Sequence, residues 1–134
     1  MPVGQAQKEM FVNEALSRLD LLVQANVVGE VSQPPAAPQP GQCWLVGPGA
    51  TGEWSGADGQ LAGWVGGTWQ FCPPTPGMVV WDSTTSQRLI YNDNWQRPAT
   101  PPTPNGGTVV DSEARTALAA LVATLGEAGI LATS

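Results

Sequence analysis

The chain contains two related stretches, PQPGQCWLV at residues 38–46 and PTPGMVVW at residues 74–81, which begin 36 residues apart. Each opens with a Pro-X-Pro-Gly turn and continues into a short apolar run that is typical of a buried strand. A hairpin pattern follows each one, WVGGTW at residues 64–69 and IYNDNW at residues 90–95. Gly-Gly and Asn-Asp suit the positive φ angles of a two-residue primed turn. The pattern predicts two tryptophan-rich three-stranded β-meander repeats, residues 38–72 and 74–97.

The two repeats differ by an insertion of about ten residues in the loop Gly47–Gln60 of the first. A three-stranded unit of this size is too small to bury its own face. We therefore expect the two units to pack on each other or on the N-terminal helix.

Proline divides the rest of the chain, because its fixed φ and missing N–H favour extended linkers. Eleven of the 13 prolines fall in three clusters, at 34–40, 73–76 and 98–104. We predict an N-terminal helical segment (1–31), a tandem β-meander domain (32–97), a Pro/Gly linker (98–107) and a C-terminal helix (108–134). The predicted fold class is α+β.

The N-terminal segment shows helical spacing from about Gln5 to Gln24. One face is apolar and the other polar. The apolar face contains Val12, Ala15, Leu16, Leu19, Leu22 and Val23, and the polar face contains Glu14, Ser17, Arg18 and Asp20. Asn13 could cap a second helix, so the pattern leaves open whether the helix is continuous.

The C-terminal segment is rich in Ala, Leu and Val, and Asp111 or Ser112 is the predicted N-cap. Its spacing of four, three and four indicates a heptad seam. The predicted oligomerisation residues are Ala114, Leu118, Leu121, Val122 and Leu125. A helix of about 14 residues is marginal alone in water. We favour self-assembly, with a trimer as the default and a pentamer as the alternative, over folding back on the chain's own domain.

Charge and composition exclude several function classes. The chain has five basic and eleven acidic residues, a net charge of −6, which argues against nucleic acid and anionic membrane surfaces as partners. It has no histidine, so neither a Ser-His-Asp triad nor an imidazole metal site can form. No apolar run of about 20 residues and no secretory leader is evident, which predicts synthesis in the cytoplasm. We predict no catalytic, cofactor or metal site.

Two kinds of residue remain as candidates for chemistry. Four loop carboxylates, Glu53, Asp58, Asp82 and Asp93, lie near aromatic residues, but no spacing fixes a glycosidase pair, and we predict no enzyme. Exposed aromatic faces can stack on sugars. The candidate glycan or partner contacts are Trp54, Trp81 and Tyr91. Among the tryptophans, Trp54 in the glycine-rich loop is the best candidate for exposure, with burial in the core as the alternative. Trp69 and Trp95 are predicted core, and Cys43 and Cys72 are predicted buried thiols.

Several motifs resemble a family of domains of unknown function found in tailed phages, prophages and gene transfer agents of alphaproteobacteria. They are QAQKE at 5–9, NEALxxLD at 13–20, GATGxW at 49–54, GGxWxF at 66–71, and GGTVVDxEAR at 106–115. The resemblance implies a virion surface component, such as a head spike, a fibre or a fibre-attachment protein. Since the sequence ends soon after the helix, we expect a base, an adaptor or a short spike rather than a receptor-binding fibre.

Overall fold

The structure is a computed structural model that describes residues 3–132. The elements, in chain order, are α1 (Val3–Leu22), β1 (Asn26–Val27), β2 (Glu30–Val31), β3 (Cys43–Val46), a short 3-10 helix (Gly52–Trp54), β4 (Leu61–Val65), β5 (Thr68–Cys72), β6 (Val79–Asp82), β7 (Gln87–Asn92), β8 (Asn94–Gln96) and α2 (Ser112–Glu127). A helix therefore precedes a β-rich middle and a second helix follows it, which confirms the α+β class. The N-terminal helix is continuous through Asn13.

The β-rich middle forms two four-stranded sheets, in the orders β2-β3-β4-β5 and β1-β6-β7-β8. Within each sheet, the last three strands are antiparallel neighbours in chain order and coincide with one predicted unit. Each sheet also gains a parallel edge strand that the sequence analysis missed. The sheets are thus mixed and four-stranded instead of simple three-stranded meanders.

Residues 26–31 connect the two sheets, because β1 pairs with β6 and β2 pairs with β3. The segment crosses between sheets at Gly29, where an added Cβ would lie 2.7 Å from Thr84 Oγ1. This segment corrects the helical prediction for residues 1–31. The helix ends at Leu22, and Gln24 adopts a φ of 57° that breaks helical geometry.

The two hairpins differ in their turns. Gly66 and Gly67 have φ angles of 60° and 77° between the paired residues Val65 and Thr68, which confirms the two-residue primed turn. In the second hairpin Tyr91 pairs with Trp95, and Asp93 alone of residues 92–94 has a positive φ, 61°. The predicted primed turn at Asn92-Asp93 is therefore wrong, since both primed types need a positive φ at the first position, Asn92. Asn92 instead pairs with Asn94, which leaves Asp93 alone between the strands.

The core lies between the sheets. Leu45 and Leu61 of one sheet meet Val80 and Leu89 of the other, with Val27 of the connecting segment buried among them. A second cluster, around Trp44 and Trp54, fills the space beneath the Gly47–Gln60 loop. The two β units thus pack on each other, one of the two arrangements expected.

Helix α1 meets the sheets with the side that carries Ser17 and Leu21. Ser17 is half-buried and Leu21 is 5% exposed, so this side of the helix meets the sheets. Gly63 on β4 makes room for it, since a Cβ there would lie 2.4 Å from the Leu21 methyl groups. The apolar face of the sequence pattern, including Val12, Leu16 and Leu19, points to solvent.

Candidate functional site

The predicted oligomerisation residues lie on an exposed face of α2. Leu118 and Leu121 are 49% and 55% exposed, Val122 and Leu125 are half-buried, and Ala114 is exposed. The helix has no fully buried residue along its length. Its start is well defined, because the Asp111 carboxylate accepts a hydrogen bond from the Ala114 N–H at 2.9 Å. The seam is therefore a solvent-facing leucine stripe on a capped helix.

The C-terminal end of α2 is attached to the second sheet. Strand β8 pairs only with Ile90–Asn92 of β7, so it does not reach Arg88. The Arg88 N–H instead donates to the Gly129 carbonyl at 2.5 Å. The Arg88 guanidinium donates to the Ala128 carbonyl at 2.7 Å, and the Gln87 amide donates to the carbonyls of Ile130 and Pro98. Leu131 is buried. The end of the segment therefore folds back on the domain, whereas the body of the helix does not.

Gly129 also fits against the ring of Trp81. A Cβ at Gly129 would lie 2.4 Å from the Trp81 Cζ3 atom, and the φ of Gly129 is 71°. Trp81 remains 36% exposed on the outer face of its sheet. Part of the Trp81 ring, a candidate contact residue, is thus covered by the segment that follows α2.

Trp54, the best candidate for exposure among the tryptophans, is buried. Its side chain is 0% exposed, and its ring centroid lies 5.0 Å from that of Trp69 and 6.5 Å from that of Trp44. The surrounding glycine-rich loop is tight, and it directs the indole ring into the core instead of toward solvent. Trp54 is therefore part of the hydrophobic core, and its ring is not accessible for stacking on a sugar.

Tyr91 lies in a different setting, at the open end between the two sheets. It packs edge-on against Trp95, with ring centroids 5.3 Å apart, and both rings are half-buried. They line a groove of about 410 Å³ together with Asp93, Asn94 and Arg97. The Trp95 Nε1–H is occupied, since it donates to the Gly59 carbonyl at 2.8 Å. Tyr91 and Asp93 were separate candidates from the sequence, but the groove itself was not predictable, because only the fold brings these residues together with Trp95 and the Gly59 loop.

Arg97 lines this groove, and its guanidinium connects both sheets. It bonds Asp82 of β6, which is 1% exposed, and pairs with Glu30 of β2 at 3.0 Å. Burial alone would raise the pKa of Asp82, but hydrogen bonds from Arg97 and from the Thr84 N–H outweigh it and lower that pKa. The positive charge of Arg97 is thus already satisfied by two carboxylates.

The other loop carboxylates also have structural partners. Asp58 accepts hydrogen bonds from the N–H groups of Gly49 and Ala50 at 2.8 and 3.0 Å, which lowers its pKa and closes the inserted loop. Glu53 accepts from the Trp69 indole N–H at 3.2 Å. Within residues 3–132, no group of three or more Cys, Asp or Glu side chains is arranged to hold a metal ion.

The two cysteines are free, buried thiols, as predicted. They lie on β3 and β5, with β4 between them. Burial raises the pKa of Cys43 to about 12, and the neighbouring Cys72 adds to this effect. In the part of the chain that the structure describes, neither helix has the length and apolarity needed to cross a bilayer.

These features define a small α+β protein built on two packed mixed sheets, with one helix before them and one after. The chain belongs to a family described as proteins of unknown function, DUF2793, whose model matches residues 12–96, more than half of its length. This match supports the resemblance to a domain family of unknown function. It includes both sheets and the C-terminal half of α1, and it ends before the linker and α2. No curated protein matches the sequence.

Proposed function

We propose that this protein is a non-enzymatic structural component of a tailed-phage or gene-transfer-agent particle, a head spike or fibre or the adaptor at a fibre's base. It self-assembles through α2 in the host cytoplasm and ends in the virion, where capsid or tail proteins are its partners. The motifs that resemble phage and gene-transfer-agent domains support the particle assignment. The observation that carries self-assembly is the exposed leucine stripe of α2.

The attachment of α2 strengthens this proposal. A helix held only by a flexible linker would lose much entropy on assembly. Here the hydrogen bonds from Arg88 and Gln87 hold the end of α2 on the sheet, so the stripe is partly pre-positioned. Pre-positioning lowers the cost of bringing copies together. Short heptad seams do not select a copy number by themselves, and we retain a trimer first and a pentamer second.

The particle assignment is tested on virions or gene-transfer particles purified from a strain that encodes the chain. Density-gradient fractions are analysed by quantitative mass spectrometry. The proposal predicts that the chain co-sediments with the major capsid protein at a fixed ratio of a few to some tens of copies per particle. Recovery of the chain only in the soluble fraction would contradict it.

A second candidate function is recognition of a host surface polysaccharide, and the Tyr91–Trp95 groove favours it. An aromatic edge beside the exposed side chains of Asp93 and Asn94 combines a stacking surface with hydrogen-bonding groups. Because Arg97 is neutralised by Glu30 and Asp82, the remaining carboxylates make the groove acidic. It therefore suits neutral or amino sugars and repels acidic polysaccharides.

A glycan array separates the two functions. Binding of neutral or amino sugars that Tyr91→Ala abolishes and that Leu118→Glu leaves intact would support the groove. Because Trp54 is buried, Trp54→Ala would test folding and is a poor probe of sugar binding. Absence of binding to neutral, amino and acidic glycans would leave the scaffold function alone.

A further inference from the structure

Helix α1 carries a second apolar stripe that its own sheets leave uncovered, formed by Val12, Leu16, Leu19 and Val23. Their exposures are 56%, 57%, 56% and 65%. Val23 extends the helical turn past Leu22, since its N–H donates to the Leu19 carbonyl at 2.8 Å. Spacings of four, three and four place the four side chains along one seam. We call this the α1 stripe, and we call Ala114, Leu118, Leu121 and Leu125 the α2 stripe.

The two stripes match in spacing and length. Adding 102 to each residue number of the α1 stripe gives the α2 stripe, so the pattern of four, three and four recurs without a shift. Two parallel helices would form four aligned apolar layers, pairing Val12 with Ala114, Leu16 with Leu118, Leu19 with Leu121 and Val23 with Leu125. The two end layers would pair Val with Ala or Leu, and the two central layers would pair Leu with Leu, so all four layers are apolar and suit close packing.

The sheet holds the ends of both helices at the same level. Just after α1, the Ala25 carbonyl accepts from the Trp81 N–H at 2.8 Å. Just after α2, the Gly129 carbonyl accepts from the Arg88 N–H at 2.5 Å. Trp81 and Arg88 are direct partners in the β6–β7 ladder. Both helices thus reach the sheet with their C-terminal ends, which favours parallel pairing. The two attachment points are 104 residues apart, close to the offset of 102 between the stripes.

The geometry of that attachment keeps the two helix ends apart within one chain. Ala25 lies on the outer side of β6, and Gly129 lies on the outer side of β7. Three strand spacings separate them, a distance of about 14 Å. Packed helices have their axes about 8–10 Å apart. Leu16 and Leu19 of the α1 stripe are also exposed within the chain, as are Leu118 and Leu121 of the α2 stripe. The two stripes therefore do not cover each other within one copy, and their pairing needs a second copy.

We propose that the α1 stripe of one copy packs against the α2 stripe of the next copy. This inference rests on the proposed self-assembly through α2 and names the surface that α2 meets. The contact is heterologous, so repeating it around an axis closes a ring of three or five copies. In such a ring, both stripes of every copy are covered.

Complementation tests this arrangement. The α1 variant carries Leu16→Glu with Leu19→Glu, and the α2 variant carries Leu118→Glu with Leu121→Glu. All four positions are exposed, so both variants should keep the near-ultraviolet circular dichroism of the buried tryptophans. Phe11→Glu is the matched control, because Phe11 is 71% exposed on α1 and lies off the stripe. Molar mass is measured for each variant alone and for an equimolar mixture.

We expect both variants to be monomers, the Phe11→Glu control to assemble, and the mixture to form a 1:1 dimer. In that dimer the intact α1 stripe of one chain meets the intact α2 stripe of the other. An α1 variant that still assembles would overturn this inference and leave assembly through α2 in place. Two monomeric variants whose mixture stays monomeric would also overturn it. If the α2 variant assembles normally, self-assembly through α2 fails as well.

Discussion

Trp81 and Arg88 lie opposite each other in the β6–β7 ladder, and each binds the end of a different terminal helix. The Trp81 N–H donates to Ala25 after α1, and the Arg88 N–H donates to Gly129 after α2. One cross-strand pair therefore sets where both helices leave the sheets. Changes at this pair should alter the positions of the helices without unfolding the β core.

Gly129→Ala should release the end of α2. The added methyl group would collide with the Trp81 ring, and the positive φ of 71° is unfavourable for alanine. We expect a loss of about 1–3 kcal/mol in the free energy of unfolding, measured by urea denaturation. Gly4→Ala is the control, since a Cβ there meets nothing within 4 Å. Equal stability of Gly129→Ala and the parent protein would show that the end of α2 is not seated on Trp81.

Arg97→Met should destabilise the protein by leaving the buried Asp82 carboxylate without its charged partner. We expect a cost of about 1–3 kcal/mol at neutral pH, because Arg97 itself is partly exposed. Arg18→Met breaks the exposed pair with Glu14 and should cost less than about 0.5 kcal/mol. Similar losses for the two variants would contradict the role of Arg97 in connecting the sheets.

The same ion pair predicts a pH dependence. The pKa of Asp82 is lowered in the folded protein, so its contribution to stability is present above the unfolded pKa of about 3.9. That contribution is lost as the pH falls through the lowered folded pKa. The stability difference between the parent protein and Arg97→Met should therefore be constant near neutrality and shrink below about pH 4. A difference that grows on acidification would contradict this assignment.

Substitutions at Trp54 should show that it is a core residue. Trp54→Ala removes a fully buried indole from the tryptophan cluster and should cost about 3–5 kcal/mol. Trp54→Phe should cost much less, because the Trp54 Nε1–H is buried without a hydrogen-bond partner and its loss removes a desolvated group. Chemical denaturation of both variants compares these costs. A small effect of Trp54→Ala would contradict the packing described here.

The two thiols should be unreactive in the native state. Burial raises the pKa of both cysteines, that of Cys43 to about 12, so almost no thiolate exists at neutral pH. Ellman's reagent should detect neither thiol before denaturation and both after it. Rapid modification of the folded protein would indicate that this part of the core opens.

The elements with strong local signals were predictable from sequence. The Gly66-Gly67 turn, the apolar runs of the two related stretches and the Asp111 cap each depend on a few adjacent residues, and the structure contains all three. These signals also place most strands of both sheets. The apolar spacing of α2 is local too, and the structure places Leu118 and Leu121 on its exposed side. That these residues form an oligomer seam stays a prediction.

The features that were missed depend on contacts distant in sequence. Asn26–Val27 and Glu30–Val31 are too short to show alternation, and they become strands only because β6 and β3 offer open edges. The inward turn of Trp54 depends on Trp44 and Trp69, which no local pattern connects. The orientation of α1 was not predictable, because its apolar pattern does not say whether that face meets the chain's own sheets or another surface. A helix face that points away from its own domain can be apolar when another copy of the chain covers it.

The most direct test of self-assembly through α2 is the molar mass of the purified chain by light scattering, compared with the Leu118→Glu/Leu121→Glu variant. Substitution is preferable to truncation here, because removing the C-terminal segment would also remove the buried Leu131. The account predicts a stable multiple of the 13.9 kDa chain mass for the parent protein and a folded monomer for the variant. A parent protein that remains at 13.9 kDa across concentration would contradict the central claim.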